Sequence, residues 1–143
     1  MRIRIAFPTP FVFETNISVR IGDINYGGHV GNDSILSILH EARLRFLKQW
    51  NFTEMNAGGY GLIMADSAIQ YKGEAFHGDD LKVEIAISNQ SSISFDLYYK
   101  VTTNRDHQTT NIVFAKTGMI SFDYTERKIV SMSDELVSKL FGS

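Results

Sequence analysis

Ile21-Gly22-Asp23-Ile24-Asn25-Tyr26-Gly27-Gly28-His29-Val30-Gly31-Asn32 joins two segments of different hydrophobic period, and that change of period decides the fold. Before it, Phe13, Thr15, Ile17, Val19 and Ile21 alternate with Glu14, Asn16, Ser18 and Arg20. This is the two-residue period of a half-buried strand, and Gly22 ends it. After it, from Asp33 to Trp50, the apolar residues Ile35, Leu39, Ala42, Phe46 and Trp50 stack on one side, with Ser34, Ser37, Glu41, Arg45 and Lys48 as a polar stripe. That spacing predicts a helix. Leu36, Leu44 and Leu47 widen the apolar sector, which suits a helix wrapped on several sides by a sheet or a partner. Asn32-Asp33-Ser34 supplies side chains that cap free amides at its start.

Working outward, a loop with Gly58-Gly59 and Gly61 leads to four strand-like runs at Leu62–Tyr71, Leu81–Ser88, Ser94–Thr103 and Asn111–Tyr124. Gly78-Asp79-Asp80, Asn89-Gln90-Ser91-Ser92 and Asn104-Arg105-Asp106-His107 separate them with turn residues. Consecutive runs joined this way predict an antiparallel meander. Gly118, inside the last run, signals a bulge or a close backbone approach. A short final helix is expected after Ser133, with Asp134 and Glu135 in its first turn and Lys139 near its end. The expected class is α+β, with one long antiparallel sheet of five strands holding one buried helix.

At 143 residues, 43% hydrophobic and 21% charged, with 2 Pro and 11 Gly, the chain reads as one globular domain over residues 1–143. It contains no cysteine, so disulfides, thiolate metal sites and cysteine nucleophiles are excluded. Any reaction chemistry falls to oxygen or imidazole. A net charge of −2 offers no field for a long polyanion, which argues against nucleic acid as a partner. No run of roughly 18 apolar residues exists, so no membrane span is expected. The amino terminus lacks a secretory pattern, and a cytoplasmic location is expected. His29, His40, His77 and His107 show no ligand spacing, so no metal is expected.

The loop is also the segment that carries chemistry. Gly27, Gly28 and Gly31 converge with Asp23 and His29 on a helix amino terminus, whose unpaired N–H groups can polarise a carbonyl or stabilise an oxyanion. Glycine permits close approach of a substrate to the backbone. A carboxylate just upstream could attack the carbonyl carbon or activate water. The same residues also suit a tight strand-to-helix loop in which Asp23 bonds turn amides and His29 caps or packs.

Asp23, then Gly27-Gly28-His29-Val30 and Asn32, then Glu41-Ala42-Arg43-Leu44-Arg45-Phe46-Leu47, resembles the hotdog-fold acyl-CoA thioesterases of the 4-hydroxybenzoyl-CoA thioesterase type. Ile69-Gln70-Tyr71 followed by Gly78-Asp79 resembles that family's strand and turn, and Ala115 through Asp123 its last strand. The resemblance implies a five-stranded sheet wrapped around a central helix. It also implies homodimers joined edge to edge, or dimers of dimers, with active sites at the dimer interface. By position, Asp23 looks like the catalytic carboxylate, with backbone amides of Gly28, His29 and Val30 as oxyanion donors and His29 orienting the thioester or a water. Tyr26, Gly28, Val30, Asn32 and Asp66 are the expected substrate-binding residues, Asn32 also capping the helix. The implied activity is hydrolysis of an acyl-CoA to a free acid and coenzyme A, with no cofactor. Two departures stand out: no proline lies between Tyr71 and Gly78, and Gly31 replaces a position that is often larger, which would widen the acyl pocket or loosen the turn. A dehydratase or hydratase of the same fold, whose His-Phe-Pro signature is absent, and a non-catalytic acyl-thioester-binding protein are the rival readings.

Asp66 interrupts an apolar run and is the reserve nucleophile or base, or else an outward polar residue. Glu41 is spaced to pair with Arg45, and His40 to pack or face solvent. Lys72, Lys100 and Arg105 are candidate contacts for coenzyme A phosphates, or ordinary solvated charges. Ser91, Ser92 and Ser94 could bond the pantetheine or serve their own turn. Phe95, Tyr98, Tyr99, Phe114 and Phe122 read as core or interface.

Overall fold

The computed structural model describes residues 2–142. Strands β1 (Phe13–Ser18), β2 (Gly61–Tyr71), β3 (Asp80–Ser88), β4 (Ser94–Arg105), β5 (Gln108–Asp123) and β6 (Lys128–Ile129) form one antiparallel sheet, with helices α1 (Asn32–Lys48) and α2 (Asp134–Phe141). The strand order is β1-β3-β4-β5-β2, and the two-residue β6 pairs with β5.

The meander therefore holds only for β3-β4-β5. Its two tight connections follow the turn chemistry: Asp106 and His107 both take positive φ, 50° and 64°, the geometry of a two-residue type I′ hairpin. The stretch between β2 and β3 is not a turn, and β2 instead pairs with β5 at the far edge. Lys72 and Gly73 N–H donate to Ile112 O, Ala75 O accepts from Val30 N–H, and Gly78 N–H donates to Val19 O. The chain thus crosses beneath the start of α1 before joining β3 beside β1. Local turn signals do not report such a crossing, because the bonds that route it, to Ile112, Val30 and Val19, join residues far apart in sequence.

α1 lays Ile35, Ile38, Leu39, Ala42, Phe46 and Leu47 into a core with Leu81, Val83, Ile85, Phe95, Leu97, Tyr99, Val101, Val113, Ala115 and Met119 from the sheet's inner face. Each large apolar side chain so buried contributes about 1.5–3 kcal/mol. Leu47 is buried as the wide apolar sector predicts, but Leu36 and Leu44 remain 43% and 38% exposed. The sheet covers one side of the helix only. β2, an edge strand, also leaves Met64 and Tyr71 exposed.

Two further boundaries differ from the sequence reading. β1 stops at Ser18 because Ile21–Asp23 forms a 3₁₀ turn, which swings Ile21 out of the strand's inner row to 71% exposure. At α1 the N-cap is Gly31, with no side-chain cap, and Asn32 is already helical, so Asn32 does not cap the helix. α2 begins as expected, with Ser133 Oγ accepting from Leu136 N–H at 3.2 Å. Gly118 marks a close approach: a Cβ there would lie 2.5 Å from Asp66 Oδ1. The accompanying bulge falls in the facing strand, between Met64 and Asp66.

Candidate active site

Residues 20–31 form a closed loop seated on the start of α1. Asp23 is 6% exposed, its Oδ2 accepts the Arg20 N–H at 2.9 Å, and its Oδ1 lies 3.6 Å from the Arg20 guanidinium. Its backbone carbonyl accepts from Gly31 N–H at 3.1 Å, so the residue ties the two ends of the loop together. Ile24 bridges Val30, and Asn25 N–H donates to His29 O at 2.9 Å. The tip turns at Gly28, whose φ of +83° is a conformation L side chains rarely adopt. Tyr26 stands fully exposed there.

The loop's donors are distributed differently from the expectation. Gly28 N–H donates to Asn25 O at 3.1 Å and Val30 N–H to Ala75 O at 2.9 Å, so neither faces a ligand. Among the described residues no carbonyl accepts the His29 N–H. The first-turn amides of Asn32, Asp33 and Ser34 have no intrahelical acceptor by construction. At Gly31, Asp33 Oδ1 lies 2.7 Å from where a Cβ would be, so the Asp33 carboxylate takes the space that a side chain there would need.

His29 Nδ1 lies 3.0 Å from Val30 O. A carbonyl only accepts, so Nδ1 is the donor, and the neutral tautomer with this bond has its lone pair on Nε2. His29 lines a small cleft of about 130 Å³ with Asn32, Tyr71, Ala75 and Ile112, and its ring edge, Nε2 included, lies beside Gly27. Asp23 opens instead onto a different cavity, of about 410 Å³ between β1 and α1, with Ser18, Ser37, Glu41 and Arg45. The loop thus holds both expected catalytic residues but turns them to separate cavities. Glu41 does pair with Arg45, Oε2 accepting from Nε at 2.7 Å, and Arg45 Nη1 also donates to Thr15 Oγ1 and Asn16 O, both at 2.8 Å.

Asp66 is not brought to the loop. It stands five strand residues, about 16 Å, from Tyr71, on the outer face with Lys116 and Gly118. Its Oδ1 accepts from Lys116 Nζ at 2.9 Å and Gly118 N–H at 3.0 Å. The lysine's hydrogen bond lowers its pKa below the usual carboxylate value. Arg105 is engaged with Asp79 and Glu74 O, and Ser91 with Ser94 across their own turn.

One buried polar chain escaped the sequence reading. Arg43, 6% exposed, donates from Nε to Glu54 Oε2 at 2.8 Å and from Nη1 to Tyr99 Oη at 3.1 Å. Tyr99 Oη is 2.7 Å from Thr117 Oγ1, and Glu54 Oε1 is 2.6 Å from His40 Nε2. Burial pushes the Tyr99 phenol up. Burial alone would lower Arg43, but Tyr99 and Glu54 outweigh it and its pKa is raised. The signal was Arg43 itself, an always-charged residue one position beyond the apolar Ala42.

Among the described residues no three His, Asp or Glu side chains converge as a metal site would need, and no helix is long and apolar enough to cross a membrane.

With this geometry in place, the comparisons define the class. The family profile of the Thioesterase-like superfamily matches residues 19–140, and the chain belongs to that family. Its hotdog fold is that of a 1,4-dihydroxy-2-naphthoyl-CoA thioesterase from Synechocystis: 22% identity, TM-score 0.78, 90% of this chain and 94% of that one. A thioesterase-superfamily protein from Jannaschia aligns at 20% identity and TM-score 0.79 over 93% and 83% of the two chains. YbaW of Escherichia coli, described as a probable thioesterase, aligns at 25% identity and TM-score 0.73 over 89% and 95%. No curated protein matches the chain significantly.

Proposed function

We propose that this chain hydrolyses an acyl-CoA thioester to a free acid and coenzyme A at the amino terminus of α1, with His29 Nε2 as the base. The observation that carries this is His29, whose Nδ1–H is fixed on Val30 O and which lines a cleft at the helix start with Asn32. Water loses its proton to Nε2 as its oxygen attacks the carbonyl carbon. The His29 N–H and the first-turn amides, which have no carbonyl partner among the described residues, would stabilise the negative charge that develops on the carbonyl oxygen. The carbon–sulfur bond then breaks, and the thiolate regains the proton from the imidazolium. Asp23 in this reading locks the loop through the Arg20 and Gly31 amides. The second reading keeps Asp23 as nucleophile or base, and its opening onto the 410 Å³ cavity favours it.

The chain is further proposed to work as a homodimer, or a dimer of dimers, joined through β2. Its unpaired edge and the exposed Met64 on it support that.

Thiol release from a panel of short, long and aromatic acyl-CoA substrates tests the activity. Coenzyme A binding without thiol release would instead make the protein a non-catalytic binder. His29→Ala is expected to lower kcat by about 10²- to 10⁴-fold with folding intact. Asp23→Asn is expected to lower Tm and change kcat less than tenfold; a collapse of kcat at unchanged Tm would return the central role to Asp23.

A further inference from the structure

The first residues of the chain form an arm laid over the sheet. Val12 N–H donates to Ile85 O at the β3 side, Phe7 packs edge-on against Phe114 at 4.9 Å, and Ile5 N–H reaches Gln70 Oε1 at 3.3 Å. The arm thus crosses the outer face and arrives at the end of β2. There Arg2 and Ile3 line a cavity of about 570 Å³ with Ile69, Gln70, Tyr71 and Lys72. Two cations line it and no carboxylate does. Among the described residues, Arg2, Arg4 and Lys72 form no ion pair. Lys72 lies instead over the Phe114 ring, its Nζ 5.3 Å from the centroid, next to the anchored part of the arm.

Tyr71 connects this cavity to the chemistry. It also lines the cleft that holds His29 and Asn32, so the cationic cavity and the cleft at the helix amino terminus share one half-exposed residue. A thioester whose carbonyl sits at His29 would lead its thiol arm past Tyr71 toward Arg2 and Lys72. Unpaired cations at the outer end of such a path suit a polyanion there, held by charge-assisted hydrogen bonds. Coenzyme A carries a diphosphate and a further phosphate at the end of its thiol arm.

We propose that Arg2 and Lys72 bind the phosphates of coenzyme A, so that the amino-terminal arm makes the protein select acyl-CoA over thioesters without a nucleotide end. The inference rests on the acyl-CoA reading above and adds the residues that would recognise the tail.

The test compares the full-length protein with Arg2→Glu and Lys72→Glu variants on an acyl-CoA and on the matching acyl-pantetheine, which lacks the phosphates. The ratio of kcat/KM for acyl-CoA to that for acyl-pantetheine should fall about tenfold for each reversal. Added salt should erode the same ratio in the unmodified protein. A ratio unchanged in both variants overturns the proposal, and so does higher activity on an acylated carrier protein than on acyl-CoA. Calorimetric binding of free coenzyme A is measured in parallel. If no thioester is hydrolysed but coenzyme A binds and both variants weaken it about tenfold, the arm's role stands and the hydrolytic reading fails. If the variants bind coenzyme A as the parent does, the arm's role fails regardless of turnover.

Discussion

Replacing Tyr99 by Phe removes a single oxygen from the centre of the buried polar chain while leaving the ring in place. Thr117 Oγ1, on a residue 1% exposed, loses its 2.7 Å partner, and Arg43 Nη1 loses its 3.1 Å acceptor. A buried neutral group left unpaired costs about 1–3 kcal/mol. Arg43 keeps Glu54 through Nε, which limits the second penalty. The sum is about 2–4 kcal/mol. For a chain of this length the unfolding entropy gives about 3 °C per kcal/mol, so Tm should drop by about 6–12 °C. A pH series sharpens the test. Burial holds the folded phenol above the ordinary value of 10.0, so above that pH unfolded tyrosine loses its proton while the folded one keeps it. The unfolded state then binds fewer protons, and stability falls with rising pH by about 1.4 kcal/mol per unit until the folded phenol titrates. Tyr99→Phe should lack that decline. Lys116, also raised by its bond to Asp66, titrates nearby but is common to both proteins, so the difference isolates Tyr99. Thermal unfolding followed by circular dichroism measures both effects. A Tm change below about 3 °C, or parallel alkaline profiles, would refute the idea that this network stabilises the core.

Two other outcomes follow from single contacts. Ser133→Ala removes the α2 cap and should cost about 1 kcal/mol, or about 3 °C in Tm, with Ser133→Asp restoring it. Sedimentation should give a dimer, and Met64→Lys on the exposed edge strand should yield a folded monomer with reduced thioester turnover; a monomeric parent protein would remove the edge-pairing proposal.

Much of the protein was legible because it is local. The switch from two-residue alternation at Phe13–Val19 to helical spacing from Ile35 onward placed β1 and α1, and Asn89, Asp106 and His107 marked hairpins through positive φ that such residues tolerate. Gly118 was readable as a close approach because a glycine inside a strand leaves room for one, although the Asp66 carboxylate that uses it lies 52 residues away. The pairing of Glu41 with Arg45 followed from one helical turn of spacing. The Arg43–Tyr99–Thr117 chain was not readable, because its members lie 56 and 18 residues apart in sequence and meet only when α1 lies on the sheet.

Period, turn chemistry and the glycine loop, properties of neighbouring residues, were enough by themselves to determine an α+β fold with a helix held by an antiparallel sheet. Only the tertiary structure decided that β2 lies outside β5, that Leu36 and Leu44 stay uncovered, and that Asp23 and His29 face different cavities. Strand order depends on which distant edges meet, and a side chain's direction in a loop depends on which amides claim it. Arg20 N–H claims the Asp23 carboxylate, Val30 O claims His29 Nδ1–H, and those two bonds turn adjacent parts of one loop to opposite sides of the helix start.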